Sequence, residues 1–570
     1  MIKSRSGGQL VVDALAVHGV DTIFGVPGES YLPVLDALHD SPIRFIINRQ
    51  EGGAAFMADA YGKMTGQPGI CFVTRGPGAT NASIGVHTAY QDSTPMILFV
   101  GQVGNDFVER EAFQEIDYRR MFGPMAKWVA QIDRADRIPE YIARAFQVAT
   151  SGRPGPVVLA LPEDCLSAVA AVADTRHYTP VQASASKSQL ARLRHLLAEA
   201  KRPVVLLGGS GWNQQACDNI ARFAISNHLP VACAFRFQDL MDNAHPHYIG
   251  DVGIGINPKL AKRVQEADLV IAIGPRLGEM TTGGYTILEA PLPRQTLIHI
   301  HSDALELGRV YQADLMINSG MQEIAECLAE MTALDAGAWQ HTVAEARAEL
   351  LAWQQEPAIF KNEQAPLNLW QVVQDIMQAA PADTIITNGA GNYATWAHRY
   401  FRYGGWRTQL APTSGAMGYS IPSGVAAKII APERTIITFA GDGEYLMNGQ
   451  ELATAVQYHA GVIIIVFNNG MFGTIRMHQE KTFPARVSGT ELHNPDFAAL
   501  ARAYGASGEV VSSTAEFAPA LQRALAHTRN HRLPALIELR YDGNLITPGM
   551  SLAQMRKAAL DAQSALAKAS

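Results

Sequence analysis

Two polar motifs, Gly441-Asp442-Gly443 and Asn468-Asn469-Gly470, each follow a short apolar run in the last third of the chain. Asp442 offers a carboxylate, Asn469 an amide oxygen, and the main chain near Met471 a carbonyl oxygen. A hard cation such as Mg²⁺ prefers these ligands and completes its shell with water and phosphate oxygens. The glycines of the first motif let a diphosphate approach the backbone. These residues predict a site for Mg²⁺ and a diphosphate.

A strand–helix–strand unit is predicted to position both motifs. Residues 435–440 and 462–467 are apolar runs typical of buried strands, and residues 449–459 have helical spacing. Such units are parallel, so both motifs should lie at the carboxyl edge of neighbouring strands, where open α/β sheets bind ligands. Either motif alone is most often a plain turn, and residues 441–443 are predicted to form a tight one. The two motifs together favour a ligand site.

The spacing of these motifs resembles the diphosphate motif of thiamine diphosphate (ThDP) enzymes, and the resemblance covers nearly the whole chain. Within that family the chain is most similar to acetolactate synthase large subunits and to related 2-oxo-acid decarboxylases and carboligases. The resemblance implies that Asp442, Asn469 and the Met471 carbonyl hold Mg²⁺ against the diphosphate. It also implies cofactor contacts from Gly441, Gly443 and Phe472.

Glu51 follows a predicted strand, residues 43–47, and begins a helix of small residues. The simplest interpretation is a carboxylate that complements the positive end of the helix dipole. The resemblance implies instead that Glu51 hydrogen-bonds the aminopyrimidine ring of ThDP and exchanges a proton with it. Gln50 stands where many acetolactate synthases have His.

A glycine-rich segment follows the predicted strand 70–74, and we expect it to be a loop that leads into a helix with Asn81 as N-cap. The string Gly-Pro-Gly-Ala-Thr-Asn at 76–81 also occurs in acetolactate synthases, where it lines the pyrimidine site. The resemblance therefore implies cofactor contacts from Gly76 and Asn81. Gln114 lies in a segment similar to their active-site Phe-Gln, which implies a hydrogen bond to a substrate carbonyl or to the cofactor adduct.

Met417 lies among glycines before a helix that is predicted to start near Pro422. A methionine in such a place is more often core filler. The resemblance implies that Met417 wedges under the thiazolium ring and that the Gly415 carbonyl binds the 4′-amino group. His478 lies in the segment after Met471 that is predicted to enter the substrate pocket, near the position of a Trp in synthases of branched-chain biosynthesis.

Glu29 follows the predicted strand 22–24 and precedes a helix expected near Tyr31. Its plain interpretation is a helix-start carboxylate in solvent. Acetolactate synthases have a small residue here, whereas decarboxylases such as pyruvate decarboxylase have an acid. A carboxylate here would disfavour a second 2-oxo acid, because like charges about 4 Å apart cost about 4 kcal/mol at an effective dielectric of 20.

The resemblance implies an enzyme that uses ThDP and Mg²⁺ to decarboxylate a 2-oxo acid and to ligate the remaining fragment to a second carbonyl. Two alternatives stay open: a simple decarboxylase that releases an aldehyde, and a ThDP-binding subunit without catalysis. The family places the cofactor between subunits, which implies a homodimer or homotetramer. FAD is open as well, because Arg276 matches the flavin-binding stretch of acetolactate synthases but the acid paired with it does not.

Strand-like apolar runs alternate with helical patterns along the whole chain, which predicts α/β structure with parallel sheets. Two polar stretches, residues 182–189 and 354–367, are predicted linkers. They leave three blocks of domain size, which the resemblance implies are a pyrimidine-binding domain (1–181), a central Rossmann-like domain (190–353) and a diphosphate-binding domain (368–570). We therefore expect three doubly wound parallel-sheet domains.

The amino-acid composition limits the kinds of ligand and the cellular location that we expect for this protein. The formal net charge is −7 with no basic stripe, which argues against a nucleic-acid ligand. The first residues lack the apolar core of a signal peptide, and no apolar run reaches membrane-spanning length. The five cysteines are scattered and lack metal-ligand spacing, so we expect them to be reduced thiols. We expect a cytoplasmic protein with a small-molecule substrate.

Overall fold

The computed structural model describes residues 3–362 and 365–569. The chain separates into two compact units: Met1–Phe237 with Lys262–Thr342, and Gln238–Ala261 with Val343–Ser570. Within the described residues, no helix has both the length and the apolar character needed to span a membrane.

The first sheet follows the order β3-β2-β4-β5-β7-β6, and all its neighbouring strands are parallel. The strand order reverses beside β2, as in a doubly wound sheet. A separate antiparallel pair joins β1 to β8. The strands are β1 (Ser4–Ser6), β2 (Thr22–Gly25), β3 (Arg44–Ile47), β4 (Gly69–Val73), β5 (Met96–Gln102), β6 (Trp128–Gln131), β7 (Pro156–Pro162) and β8 (Val169–Ala171). The helices are α1 (Gly7–Val17), α2 (Leu32–His39), α3 (Glu51–Thr65), α4 (Arg75–Asp92), α5 (Tyr118–Phe122), α6 (Ile138–Thr150) and α7 (Glu163–Ser167).

The middle sheet is also parallel. Its strands in the first unit follow the order β10-β9-β12-β13-β14. The strands of this part of the chain are β9 (Pro203–Leu207), β10 (Val231–Cys233), β11 (Tyr248–Asp251), β12 (Leu269–Ile273), β13 (Thr296–His301) and β14 (Leu315–Asn318), of which β11 belongs to the second unit. The helices are α8 (Lys187–Glu199), α9 (Gln214–Ser226), α10 (Pro258–Gln265) and α11 (Met321–Ala329).

The third sheet follows the order β16-β15-β17-β18-β20-β19 and is parallel throughout, with its reversal between β15 and β17. The strands are β15 (Ile385–Asn388), β16 (Gln409–Leu410), β17 (Ile436–Gly441), β18 (Ile463–Asn468), β19 (Ser507–Val511) and β20 (Ala535–Arg540). The helices are α12 (Gln340–Trp353), α13 (Ala358–Asn362), α14 (Leu369–Ala379), α15 (Ala394–Tyr400), α16 (Ser420–Ile430), α17 (Asp442–Asn448), α18 (Glu451–Gln457), α19 (Gly473–Thr482), α20 (Phe497–Ala503), α21 (Thr514–His531) and α22 (Leu552–Ala569).

The central strands are apolar because helices cover both faces of each sheet. Every residue of β4 and β5 is buried, and so are the first five residues of β17 and of β18. Parallel strands buried on both faces read as continuous apolar runs rather than alternating ones. The expectation of three parallel-sheet α/β domains is therefore confirmed.

Two predicted turns are in fact helix starts. Residues 441–443 do not form a tight turn, because α17 begins at Asp442 with Gly441 as its N-cap, and acidic residues in its first turn suit the helix dipole. The predicted helix 449–459 is the shorter α18. The glycine-rich segment after β4 is not a loop, since α4 begins at Arg75. Asn81 therefore lies inside a helix and is not its N-cap.

Both predicted linkers contain helical residues. Ser186 caps α8 through a capping box with Gln189, so the end of the stretch 182–189 is the start of a helix. The stretch 354–367 includes α13, and its residues 363–364 lie outside the described residues.

Candidate functional site

A cavity of about 240 Å³ lies at the carboxyl edge of the third sheet. It opens where the strand order reverses between β15 and β17, the place where open α/β sheets bind ligands. We call it the cofactor cavity. All predicted cofactor residues from this part of the chain line it: Gly415, Met417, Gly441, Asp442, Gly443, Asn469, Met471 and Phe472.

Asp442 ties two strand ends together beneath this cavity. Its Oδ1 accepts a hydrogen bond from the Gly443 amide at 2.9 Å, and its Oδ2 accepts from the Gly470 amide at 2.8 Å. The side-chain amide of Asn494 also donates to Oδ2, at 2.8 Å. Burial raises the pKa of the Asp442 carboxyl, and these N–H donors oppose that rise because they favour the charged form. The site therefore fixes the carboxylate in one orientation.

Asn469 and Met471 follow β18 and supply the other predicted oxygens. The Asn469 amide oxygen accepts from the Met471 backbone N–H at 3.2 Å, which holds the turn closed. Within the described residues, no group of three His, Cys, Asp or Glu side chains is placed to bind a metal. A metal here would therefore use amide and carbonyl oxygens beside the Asp442 carboxylate, a hard-donor set that suits Mg²⁺.

Two glycines of the cavity wall have no space for a side chain. A Cβ on Gly443 would lie 2.5 Å from the Phe472 ring, and a Cβ on Gly441 would lie 2.9 Å from the Tyr393 ring. Gly415 has φ +67° and open space beside it. The wall is thus built of closely packed backbone and rings, and its exposed glycine backbone fits a diphosphate-bearing cofactor.

In the first unit, Glu51 and Asn81 form one polar pair. The Asn81 side-chain amide donates to the Glu51 carboxylate at 2.9 Å. The two helices that carry them, α3 and α4, touch through small residues, since a Cβ on Gly85 would lie 2.3 Å from the Ala55 Cβ. Gln50 is the N-cap of α3, because its side-chain oxygen accepts from the Gly53 amide. This capping role is a local reason for the amide at position 50.

The ends of β2 and β4 bring further predicted residues close together. The Gly76 amide donates to the Gln114 carbonyl oxygen at 2.9 Å, and a Cβ at position 76 would lie 2.8 Å from that oxygen. Gln114 itself has φ +66°. Glu29 is exposed at the start of the 3₁₀ turn Glu29–Tyr31 and follows Gly28, where a Cβ would meet the Thr74 side chain at 2.4 Å.

Three protein-family models match the chain, and all describe thiamine pyrophosphate enzymes. The N-terminal TPP-binding domain matches residues 5–121, the central domain residues 190–328 and the C-terminal TPP-binding domain residues 389–539. The chain belongs to the thiamine pyrophosphate enzyme family. Thiamine pyrophosphate and ThDP are the same compound.

Similar curated proteins cover nearly the whole chain. A probable acetolactate synthase large subunit of Methanocaldococcus jannaschii is 32% identical over 560 residues, which is 95% of this chain and 94% of the relative. The acetolactate synthase isozyme 2 large subunit of Escherichia coli is 32% identical over 558 residues, 96% of this chain and 99% of the relative. The acetolactate synthase large subunit of Lactococcus lactis is 31% identical over 513 residues, 88% of each. The expected ThDP-dependent, acetolactate-synthase-like enzyme is confirmed.

Several residues that line the cofactor cavity of this ThDP enzyme were not predicted from the sequence. They are Asn392, Tyr393, Glu444 and Tyr541. Asn392 and Tyr393 come after β15 and Tyr541 comes directly after β20, so the signal was a polar residue beyond a strand end, without any motif. Glu444 directly follows the Gly-Asp-Gly motif, so its position at the same strand end could have been predicted from the sequence.

His478 lies on the exposed face of α19 and does not line the cofactor cavity, although Phe472, Gly473, Thr474 and Ile475 from the same segment do. The first part of the segment therefore lines the cofactor cavity, and its entry into the substrate pocket stays a prediction. The catalytic role suggested for His478 stays a prediction.

Arg276 has a structural partner that the sequence did not reveal. Its guanidinium lies 3.4 Å from the buried Glu306 carboxylate, which also faces Arg309 at 3.1 Å. The space beside the nearby glycines is also filled, since a Cβ on Gly209 would lie 2.0 Å from the Gly274 carbonyl oxygen. These contacts give Arg276 and the nearby glycines partners within the chain, and FAD stays a prediction.

Proposed function

We propose that this protein decarboxylates a 2-oxo acid and ligates the remaining fragment to a second carbonyl compound, with ThDP and Mg²⁺ as cofactors. The observation that carries the proposal is the cofactor cavity, where Asp442, Asn469 and Met471 meet beside closely packed glycines. The similarity to acetolactate synthases over nearly the whole chain supports ligation as the outcome.

In this proposal the second unit binds the diphosphate end of the cofactor. Asp442, Asn469 and the Met471 carbonyl would hold Mg²⁺, while Gly441, Gly443 and Phe472 contact the diphosphate. Met417 and the Gly415 carbonyl would orient the thiazolium and aminopyrimidine rings. When bound, ThDP would supply a carbon nucleophile for the ketone, and its thiazolium ring would serve as the electron acceptor for loss of carbon dioxide.

The first unit supplies proton exchange and substrate contacts. Glu51 would exchange a proton with the aminopyrimidine ring. The hydrogen bond from the Asn81 side-chain amide orients its carboxylate. Gly76 lies beside the ring, and Gln114 hydrogen-bonds the substrate carbonyl. His478 contacts substrate from α19.

A simple decarboxylase is the second candidate, and Glu29 is the observation that favours it. Its carboxylate is exposed near the ends of β2 and β4, at the edge that carries the Glu51 and Gly76 segments. A carboxylate there would repel an anionic acceptor, and a protonated carboxyl group there would deliver the proton that releases the donor fragment as an aldehyde. The ratio of ligated product to aldehyde in Glu29→Gly measures this effect.

We further propose a homodimer or homotetramer whose active sites combine the first unit of one subunit with the second unit of another.

The domains are proposed as 1–181, 190–353 and 368–570, which contain the three family matches. A cytoplasmic location is proposed from the five free, dispersed cysteines. FAD in the central domain stays an open prediction, and the flavin absorbance of the purified protein decides it.

The test of the proposed function is mass spectrometry of products from a panel of 2-oxo acids, with and without an acceptor aldehyde. Ligated product and carbon dioxide should appear together and should require both ThDP and Mg²⁺. Carbon dioxide with free aldehyde alone would instead support the decarboxylase. No carbon dioxide from any acid would identify a non-catalytic ThDP-binding subunit.

A further inference from the structure

Asn494 joins the two polar motifs of the site, although it belongs to neither of them. Its side-chain amide donates to the Asp442 carboxylate at 2.8 Å and to the Asn468 side-chain oxygen at 2.9 Å. A primary amide has two N–H donors, so one is used on each motif. Asn494 is half-buried and, within the described residues, does not line the cofactor cavity. Any effect of Asn494 on a bound metal must therefore pass through Asp442 and Asn468.

The contacts of Asp442 distinguish its two carboxylate oxygens. Oδ2 accepts from the Gly470 amide at 2.8 Å and from Asn494, whereas Oδ1 accepts from the Gly443 amide at 2.9 Å. A carboxylate oxygen has about two lone pairs, so these contacts use both acceptor positions of Oδ2. In the part of the chain that the structure describes, Oδ1 has one hydrogen bond and keeps an acceptor position. The arrangement leaves Oδ1 to a cation.

The segment before Asn494 lies beside the turn that carries Met471. Met471 and Glu491 form an antiparallel bridge. Two hydrogen bonds flank the bridge, from the Phe472 amide at 2.9 Å and from the Leu492 amide at 2.8 Å, each to a carbonyl oxygen of the facing segment. In such a pair the backbone groups of the bridged residues point away from the partner strand. The pairing thus fixes the turn and leaves the Met471 carbonyl for another partner.

Glu538 holds the Asn494 segment against the end of β18. This fully buried carboxylate of β20 accepts from the Asn468 side-chain amide at 2.8 Å and from Arg540 at 2.7 Å. Its other oxygen accepts from the Phe497 amide at 3.1 Å, at the start of α20. Asn494 lies two residues before the N-cap of α20. Its position is therefore fixed by β18, β20 and α20 together.

Mg²⁺ and Ca²⁺ differ in what they require of a carboxylate. Mg²⁺ needs near-ideal octahedral geometry at about 2.0–2.1 Å, whereas Ca²⁺ takes about six to eight oxygens at about 2.3–2.6 Å and binds a carboxylate through one oxygen or both. A carboxylate with one oxygen filled presents the other oxygen alone and in one direction. Loss of the Asn494 donor would free an acceptor position on Oδ2 and let both oxygens turn toward a larger ion.

We propose that Asn494 is a positioning residue that makes the site prefer Mg²⁺ over Ca²⁺. It fills Oδ2 of Asp442, so that Oδ1 alone meets the metal, and it holds Asn468 beside the turn that carries the other ligands. This inference rests on the proposed function, because it takes the site to hold a divalent cation together with ThDP.

The test measures the affinity for each metal by calorimetry, with ThDP in fixed excess and magnesium or calcium chloride as titrant. In Asn494→Ala the Mg²⁺ affinity should fall about tenfold, the lower end of the usual effect of removing a partner of a metal ligand. The Ca²⁺ affinity should fall less than about threefold, because Ca²⁺ accepts the loosened carboxylate. Asn494→Ser has a hydroxyl too short to reach both acceptors, so it should give the same shift and decides the test if Asn494→Ala does not fold.

The matched control is Asn368→Ala, which removes the N-cap of α14 in the same unit. It should lower the urea midpoint and leave the ratio of the Ca²⁺ and Mg²⁺ dissociation constants at the wild-type value. An unchanged ratio in the Asn494 variant, or an equal change in Asn368→Ala, overturns the inference while the proposed function stands. Wild-type protein that binds ThDP equally well without any divalent cation overturns the proposed cofactor set and this inference together.

Discussion

The phenol of Tyr393 donates a hydrogen bond to the carboxylate of Glu444, and both side chains line the cofactor cavity. The Tyr393 oxygen also accepts from the Gly389 amide at 3.0 Å, and the other Glu444 oxygen accepts from the Ser420 amide at 3.3 Å. The pair therefore ties the segment after β15 to the start of α17. Because a Cβ on Gly441 would touch the Tyr393 ring, the same pair also shapes the wall of the cavity.

Replacing Tyr393 with Phe should destabilise the protein by about 1–3 kcal/mol, the usual cost of leaving a buried acceptor without its donor. The buried Glu444 side chain would lose the hydrogen bond from Tyr393. Urea unfolding measures the loss, and calorimetric titration with ThDP and Mg²⁺ should show weaker binding.

Tyr400→Phe is the matched control for this variant. Tyr400 lies on the neighbouring α15, and its buried hydroxyl has no hydrogen-bond partner within the described residues. Its removal should leave stability unchanged or slightly higher, because no bond is lost. Equal destabilisation by Tyr393→Phe and Tyr400→Phe would show that the Tyr393–Glu444 bond contributes nothing specific.

Asp442→Ala should abolish metal-dependent ThDP binding, because no other carboxylate of the motif can replace it. Asp442→Asn keeps one oxygen to accept from the Gly443 or Gly470 amide and should therefore stay better folded, yet it loses the negative charge that Mg²⁺ needs. Calorimetry with ThDP should show no binding in either variant below millimolar concentration. Wild-type affinity in Asp442→Ala would refute the motif assignment.

Glu51→Gln should bind ThDP but activate it slowly, since Gln accepts from the Asn81 amide yet cannot exchange a proton. Proton transfer is commonly worth about 10²–10⁴-fold, and hydrogen–deuterium exchange at the thiazolium carbon should slow by that order. Glu140→Gln, which changes an exposed carboxylate of α6, is the control and should exchange at the wild-type rate. Fast exchange in Glu51→Gln would remove the proposed role.

Sequence reasoning worked where local pattern decides structure. Strands such as β17 and β18 were predicted to within a residue or two because continuous apolar runs have few alternatives, and Asp442 could be placed from the end of its strand. The predictions from sequence failed where the local structure depends on a contact between residues that are far apart in the sequence. Gly76 reads as part of a loop, whereas in the structure it lies in α4 and its amide donates to the carbonyl oxygen of Gln114, which is distant in sequence. Tyr393 has no motif, and its importance comes from Glu444, which lies on another strand–helix unit.

Glu480 joins α19, whose first residues line the cofactor cavity, to α22. Arg556 donates to its carboxylate at 2.6 Å and Arg476 at 2.9 Å, and the Glu480 side chain is fully buried. The hydrogen bond from Arg556 lowers the pKa of Glu480 to about 2, against burial, which acts in the opposite direction. Since the folded state favours the charged carboxylate, this stabilisation is complete above the ordinary pKa of about 4.5 and is lost as pH falls toward 2.

Glu480→Gln should therefore destabilise the protein by about 1–2 kcal/mol at pH 7. The value is modest because Arg556 is partly exposed, and solvent weakens its ion pair with Glu480. The difference from wild type in urea midpoint should stay constant from pH 7 to about 5 and shrink below about 4.5. Glu509→Gln, at an exposed pair with Arg523, should change the midpoint little at any pH. A difference that grows on acidification would contradict the assignment.

Subunit mixing tests whether Glu51 and Asp442 serve the same cofactor from different chains. In a heterodimer of Glu51→Gln and Asp442→Ala subunits, one site carries both changes and the other carries neither. Co-expression of the two inactive variants should therefore restore about a quarter of wild-type activity, because random pairing makes half of the dimers mixed and one site in each intact. The control mixes Glu51→Gln with Glu51→Ala, which leaves no site intact. If the first mixture is no more active than the control, or if light scattering shows an active monomer, Glu51 and Asp442 do not meet across a subunit boundary.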